Sequence, residues 1–242
     1  MSENKRTSTA ERAAAALRQQ EAIERRRRFA MVGSVIAVLV IIGGATWFAI
    51  SRGDTTGETV AASDTPANTV GYAVVVGDAA APTTLTFYED PQCPACQQFE
   101  STVNADVNQG ISDGKVKVEY RIVSFLDRAS TNEYSSRAAN ALFVVADTAG
   151  PEAFKKFHDL LYENQPAEGS AGPDDDQLIA WAVEAGADEA AVRAKIEDDV
   201  FGQYVVNATD QWSKDGYNTT PTVLVDGKAS DDPVNDVMAA LQ

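Results

Sequence analysis

The two cysteines of this 242-residue chain stand three apart, in Cys93-Pro94-Ala95-Cys96, at the point where its hydrophobic pattern changes period. Thr83 to Tyr88 is a short run of β-branched and aromatic residues, a strand, whereas Phe99, Val103 and Val107 recur at a helical spacing from Pro94 to about Gln109. Cysteines in the first turn of a helix that leaves a strand can close a disulfide. The unpaired N–H groups and partial positive charge of that helix end favour a thiolate on the first of them. Pro94 suits the first helical position, where its missing N–H costs nothing. Other uses of the pair fit less well. A structural disulfide across so short a loop constrains the unfolded chain little. A four-ligand zinc site is impossible within the chain, because Cys93, Cys96 and His158 are its only cysteines and histidine, and attachment of a c-type haem needs His where Gln97 stands. The expectation is a redox-active pair with no metal and no cofactor.

A second feature sets the topology. Phe29 to Ile50 are 22 uncharged, mostly apolar residues that directly follow Arg25-Arg26-Arg27-Arg28. As a helix the run spans about 33 Å, one bilayer crossing. Arginines on its N-terminal side place residues 1–28 in the cytoplasm and everything after Arg52 outside, in a single-pass plasma-membrane protein. A cleaved signal peptide fits less well, since its apolar region is commonly about 7 to 15 residues and lies nearer the start. Residues 1–28 carry eight Lys and Arg against four Asp and Glu, so +4 of the formal net charge of -16 lies there and -20 in the remainder. So acidic an outer part repels phosphate backbones, which argues against a nucleic-acid partner. Residues 51–70, rich in Ser, Thr, Gly and Asp without hydrophobic periodicity, read as a flexible linker, and the globular domain as 71–242.

Within that domain Tyr72 to Val76, Thr83 to Tyr88 and Val116 to Phe125 read as strands, with the helix from Pro94 between the second and third. That order implies a βαβ unit whose flanking strands run parallel. Helices follow from about 130 to 215. Ser130 and Glu133 suggest a capping box for a helix ending near Gly150, Pro151 opens the next, and others span Asp174 to Ala185, start at Asp188 and start at about Asp199. Thr222 to Val225 returns to strand, Asp226-Gly227 turns, and a last helix begins at Asp232-Pro233. The fold class is α/β with an all-helical insertion, preceded by one transmembrane helix.

Cys-Pro-Ala-Cys after an aromatic strand, the helical insertion, and Asn218-Thr219-Thr220-Pro221-Thr222 before a strand and Asp226-Gly227-Lys228 resemble DsbA-like thiol-disulfide oxidoreductases of the thioredoxin superfamily. In particular the chain resembles the membrane-anchored, extracytoplasmic members of high-GC Gram-positive bacteria. The resemblance covers about Gly71 to Gln242 and implies a thioredoxin-like fold. By position it makes Cys93 the nucleophile and Cys96 the buried resolving cysteine, with Pro94 and Ala95 as support between them. It also makes Pro221 the cis-proline facing the pair, with Thr220 before it pairing its backbone with substrate. The chain departs from the pattern at Ala95, where many relatives have His, and at Phe87, where many have a buried acid. Glu89 and Asp90 are nearby acids equally well read as solvated loop charges. His158 reads as a packing or helix-surface residue, and the sequons at Asn207 and Asn218 as chance.

Together these features imply an enzyme that introduces disulfides into exported proteins with free thiols, and the resemblance implies that it is reoxidised by a quinone-linked membrane partner of the DsbB or vitamin K epoxide reductase type. A disulfide reductase or isomerase of the same fold is the alternative within enzymes. Outside them, it is a peptide-binding or chaperone module with an inert disulfide.

Overall fold

The computed structural model describes residues 64–242 apart from residue 129. The apolar run Phe29–Ile50, the basic segment and most of the linker lie outside the described residues. Among the described residues no helix is long and apolar enough to cross a membrane.

The centre of the domain is a parallel pair, β3 (Thr83–Glu89) and β4 (Val116–Ile122), joined by helix α1 (Pro94–Ser112). This is the expected βαβ unit. Leu85 lies opposite Val118 and Phe87 opposite Tyr120. Strand β2 (Ala73–Val76) pairs antiparallel with β4, and β5 (Thr222–Val225) antiparallel with β3. Two-residue strands β1 (Thr69–Val70) and β6 (Lys228–Ala229) close the edges, giving the order β1-β2-β4-β3-β5-β6. Thr69 and Val70 therefore pair with the sheet two residues before the glycine at which the sequence suggests the domain begins. Two residues carry too little period-two signal to be seen as a strand.

Burial along β4 alternates strictly, with Val116, Val118, Tyr120 and Ile122 inward and the residues between them partly exposed. The strand ends at Ile122 and not at Phe125 as the run of apolar residues suggests. Val123 donates its N–H to the Glu89 carbonyl, and Phe125–Arg128 turns into a 3-10 helix whose Leu126 N–H is held by the Asp90 carboxylate at 2.9 Å.

Four helices separate β4 from β5, as expected for the insertion. Helix α2 (Tyr134–Glu163) is two rods meeting at Gly150, whose φ of 85° breaks the first rod before Pro151 opens the second. The anticipated capping box does not form. Glu133 takes the cap position with no side-chain bond of its own, while the Ser130 hydroxyl accepts the N–H of Tyr134 at 3.0 Å. Helices α3 (Asp175–Glu184) and α4 (Glu189–Glu197) are capped by Asp174 and Asp188, each accepting an N–H three residues on. Helix α5 (Gly202–Lys214) starts three residues later than Asp199, because Asp199 adopts a left-handed φ of 49° that ends the preceding turn. Helix α6 (Pro233–Ala240) closes the chain against α1 and β5.

The main core joins the sheet to α1 and α2. Phe87 stands at its middle, fully buried, edge-on to Phe99 at 5.1 Å and to Tyr120 at 5.7 Å. Truncating Phe87 to Ala leaves a cavity lined by rings that cannot close over it. Urea unfolding of Phe87→Ala should show a loss of about 3 to 5 kcal/mol; a loss under about 1 kcal/mol would mean that this core collapses around the gap.

Candidate active site

Strand β3 delivers Glu89 and Asp90 to one end of the sheet, and the chain turns through Pro91 and Gln92 into α1. Cys93 occupies the cap position of α1 in an extended conformation, with Pro94 first in the helix. The turn is tied from three sides. The Asp90 carboxylate, fully buried, accepts the N–H of Gln92 at 2.8 Å, the hydroxyl of Ser135 at 2.6 Å and the N–H of Leu126 at 2.9 Å. The Asp90 carbonyl accepts from the N–H of Cys93 and from the hydroxyl of Tyr162. From beyond the end of α2, the Gln165 amide donates to the carbonyls of Pro91 and Cys93, both at 3.0 Å. The helical insertion thus holds the cysteine turn through Ser135, Tyr162 and Gln165.

The two thiols are in opposite environments. Both are free. Cys93 is 6% exposed and Cys96 fully buried, so the first is a rim residue and less open than a helix start suggests. The flanking Pro94 and Ala95 are exposed. The thiol of Cys96 hydrogen-bonds the Cys93 sulfur and is the largest influence lowering its pKa to about 6. Burial opposes this, while the Thr220 side chain and the N–H groups of Cys96 and Ala95 add to it. Burial pushes the Cys96 thiol well above its usual range, and the same hydrogen bond and the nearby Glu89 push it further. Across from the pair, the Thr220 carbonyl accepts from the Cys93 thiol at 3.4 Å, and the Thr220–Pro221 bond is cis. All six residues singled out around the motif and the proline therefore meet at one place.

Beneath the pair lies a cluster that the sequence did not reveal as such. Glu89 and His158 are fully buried and bonded, Oε2 to Nε2, at 3.1 Å. Glu100 is 4% exposed, and these three side chains approach within 4.8 Å of one another. Burial first, and then the neighbouring Glu89, raise the Glu100 carboxyl to about 8. Burial works against a charged His158, but Asp159, Glu89 and Glu100 outweigh it and lift the ring to about 9. Glu89 and Asp90 are accordingly not solvated loop charges, and His158 packs inside the fold and not on a helix surface. Asp90, raised by burial to about 6, holds the loop together.

The signals were periodic. Glu89 continues the Leu85, Phe87 face of β3 by one step of two. Glu100 follows Cys96 by four on the Val103, Val107 face of α1, and His158 follows Phe154 by four. Asn207 of the first sequon is 7% exposed within α5.

A thiol half-ionised near pH 6 beside a neutral, buried thiol is suited to thiol-disulfide exchange, in which the thiolate attacks or leaves and its partner closes the ring.

The thioredoxin family matches residues 69–240. Over 157 residues the chain is 30% identical to the serine/threonine-protein kinase PknE of Mycobacterium tuberculosis, a match that covers 63% of this chain and 28% of that protein. The chain thus spans little more than a quarter of the length of the curated relatives that it matches first. Among solved structures it is similar to the reduced disulfide bond oxidoreductase DsbG of Mycobacterium tuberculosis, at 34% identity over 71% of this chain and 86% of that one, with a TM-score of 0.62. It is also similar to reduced DsbA of the same organism, at 31% identity over 71% of this chain and 100% of that one, with a TM-score of 0.59.

Alkylation of the reduced protein checks the asymmetry between the thiols. Iodoacetamide should modify Cys93 with a pH midpoint near 6 and leave Cys96 unmodified up to pH 9. A midpoint near 9 at Cys93, or equal reaction at both, would contradict it.

Proposed function

The chain belongs to the thioredoxin family with a DsbA-like fold, and on that premise we propose that it is a membrane-anchored, extracytoplasmic thiol-disulfide oxidoreductase that introduces disulfides into exported proteins. The observation that carries this reading is the pairing of Cys93, poised as a thiolate at the start of α1, with a neutral, fully buried Cys96. Such a pair stabilises the dithiol form relative to the disulfide, which makes the disulfide a donor of oxidising equivalents.

In the oxidised enzyme a substrate thiolate attacks the sulfur of Cys93, and Cys96 leaves with the electron pair of the broken bond. A second substrate thiolate then attacks the substrate's own sulfur in the mixed disulfide. Cys93 leaves as thiolate, so the substrate is oxidised by two electrons and the enzyme reduced by two. The Thr220 carbonyl, 3.4 Å from the Cys93 sulfur, lies where an extended substrate segment would pair its backbone, with Pro221 holding that edge. Reoxidation falls to a quinone-linked membrane partner of the DsbB or vitamin K epoxide reductase type.

Residues 29–50 anchor the protein, residues 1–28 stay in the cytoplasm, and the linker that ends before β1 tethers the catalytic domain outside. The arginine cluster before an uncharged run supports that orientation.

The division of labour is tested by trapping. The full chain should oxidise reduced ribonuclease, and Cys96→Ala should accumulate mixed disulfides through Cys93. Retained ribonuclease oxidation in Cys93→Ala would overturn the assignment. For topology, protease added to intact spheroplasts should digest the domain after Arg52 and spare residues 1–28, and the reverse pattern would invert the orientation.

A further inference from the structure

Cys96 poses a proton problem. Its sulfur is fully buried and its thiol far from ionising. When exchange opens the disulfide at Cys93, Cys96 departs as a thiolate in apolar surroundings and must gain one proton. When the disulfide closes again, that proton must leave.

A path for it runs through the buried cluster. The N–H of Asp90 bonds the Cys96 sulfur, which sets that sulfur against the end of β3 beside Glu89. One Glu89 oxygen, Oε2, meets His158 Nε2 at 3.1 Å, while Oε1 is buried without a hydrogen-bond partner. The other ring nitrogen, Nδ1, also lacks a hydrogen-bond partner and faces Asp159 Oδ1 at 3.8 Å. Rings of Tyr120 and Tyr162 flank the imidazole at 4.7 and 4.8 Å. Asp159 is 22% exposed on its side chain. With Gln97, Glu100, Ser101 and Asn104 it lines a surface groove of about 650 Å³. Besides Glu89 and Asp159, the ionisable groups facing His158 are Glu100 of α1, Tyr120 of β4, and Lys155 and Tyr162 of α2. Lys155 is occupied by the Asn104 and Asp159 side chains.

An imidazole with a carboxylate at each nitrogen can accept a proton on one side and release it from the other. Resting on the reading of Cys93 and Cys96 as the exchanging pair, we propose that His158 carries the Cys96 proton between Glu89 and Asp159, and that the groove lined by Asp159 is its outlet to solvent. On opening of the disulfide, protonated His158 passes a proton through Glu89 to the Cys96 thiolate and regains one from water by way of Asp159. On closure, Cys96 gives its proton to Glu89 and its electron pair to the sulfur of Cys93 in a mixed disulfide, whose other half leaves as a thiolate. The raised pKa of His158, about 9, keeps the ring charged and ready to donate at neutral pH.

The test follows the step that belongs to Cys96 alone. The reduced full chain is mixed with oxidised glutathione, and acid-quenched samples are weighed by mass spectrometry, which separates formation of the Cys93–glutathione adduct from its resolution by Cys96. His158→Ala should slow resolution by about a hundredfold between pH 6 and 8, the low end of what proton transfer by a placed group contributes, with adduct formation at the wild-type rate. Added imidazole should restore resolution in that variant, which a purely structural role would not allow. Asp159→Asn, a partly exposed change that keeps the question open if the buried variant unfolds, should slow resolution in the same direction. Wild-type resolution in both variants, or slowing of both steps alike without imidazole rescue, would overturn the relay. Failure of the wild-type chain to form either the Cys93 adduct or the Cys93–Cys96 disulfide would instead overturn the exchanging pair, and the relay with it.

Discussion

The buried carboxylate of Asp90 is the contact on which the geometry of the site depends. It sits at the end of the central strand and saturates its oxygens with the Gln92 N–H of the cysteine turn, the Leu126 N–H after β4 and the Ser135 hydroxyl of α2. Three segments distant in sequence are thereby fixed to one point. A carboxylate buried without those donors would cost several kcal/mol. Because the donors are in place, the turn can present Cys93 at the cap of α1 with its sulfur toward the N–H groups of the first helical turn.

The same end of the sheet sets the chemistry of the two sulfurs in opposite senses. Cys93 looks outward and collects hydrogen bonds from the Cys96 thiol and from the N–H groups of the first helical turn, which favour its anion. Cys96 looks inward toward Glu89 and low-dielectric core, which disfavour its anion. Ala95, which has no donor to offer, leaves the stabilisation of the Cys93 thiolate to the backbone, Thr220 and the partner thiol. The acid beneath the pair comes from the same face of β3 as Phe87, one strand period further on. The departure at Phe87 is thus matched by Glu89, and the ring at 87 is free to fill the core between Phe99 and Tyr120.

Much of this was legible in the residues. The period change at Cys93 marks a strand-to-helix junction, Gly150-Pro151 and the capping aspartates mark helix boundaries, and Thr-Pro-Thr before a strand points to the segment that meets the cysteines. The alternation in β4 shows which of its side chains are buried. What stayed hidden depends on contacts across the fold. Nothing local to Val123-Ser124-Phe125 tells that a carboxylate 36 residues earlier pulls Leu126 off the strand direction. A two-residue edge strand such as β1 has no pattern of its own. Buried and solvated readings of Glu89 and Asp90 stand equal in the sequence because an acid at a strand end is commonly solvated. Its inward direction follows only when the strand's period is carried one residue past its last apolar side chain.

The fold stabilises a thiolate at Cys93 and so favours the dithiol form. A folded-state pKa near 6 against an ordinary thiol value of 9.0 contributes stability that is fully present above about pH 9 and is lost as the pH falls through 6. The disulfide form has no such group. The direct measurement is the melting temperature of the reduced and the oxidised full chain side by side from pH 5 to 9. The account predicts a difference that moves in favour of the reduced form as the pH rises from 6 to 9, with the reduced form the more stable at pH 8. An oxidised form that is the more stable throughout, by a margin that does not change with pH, would contradict it.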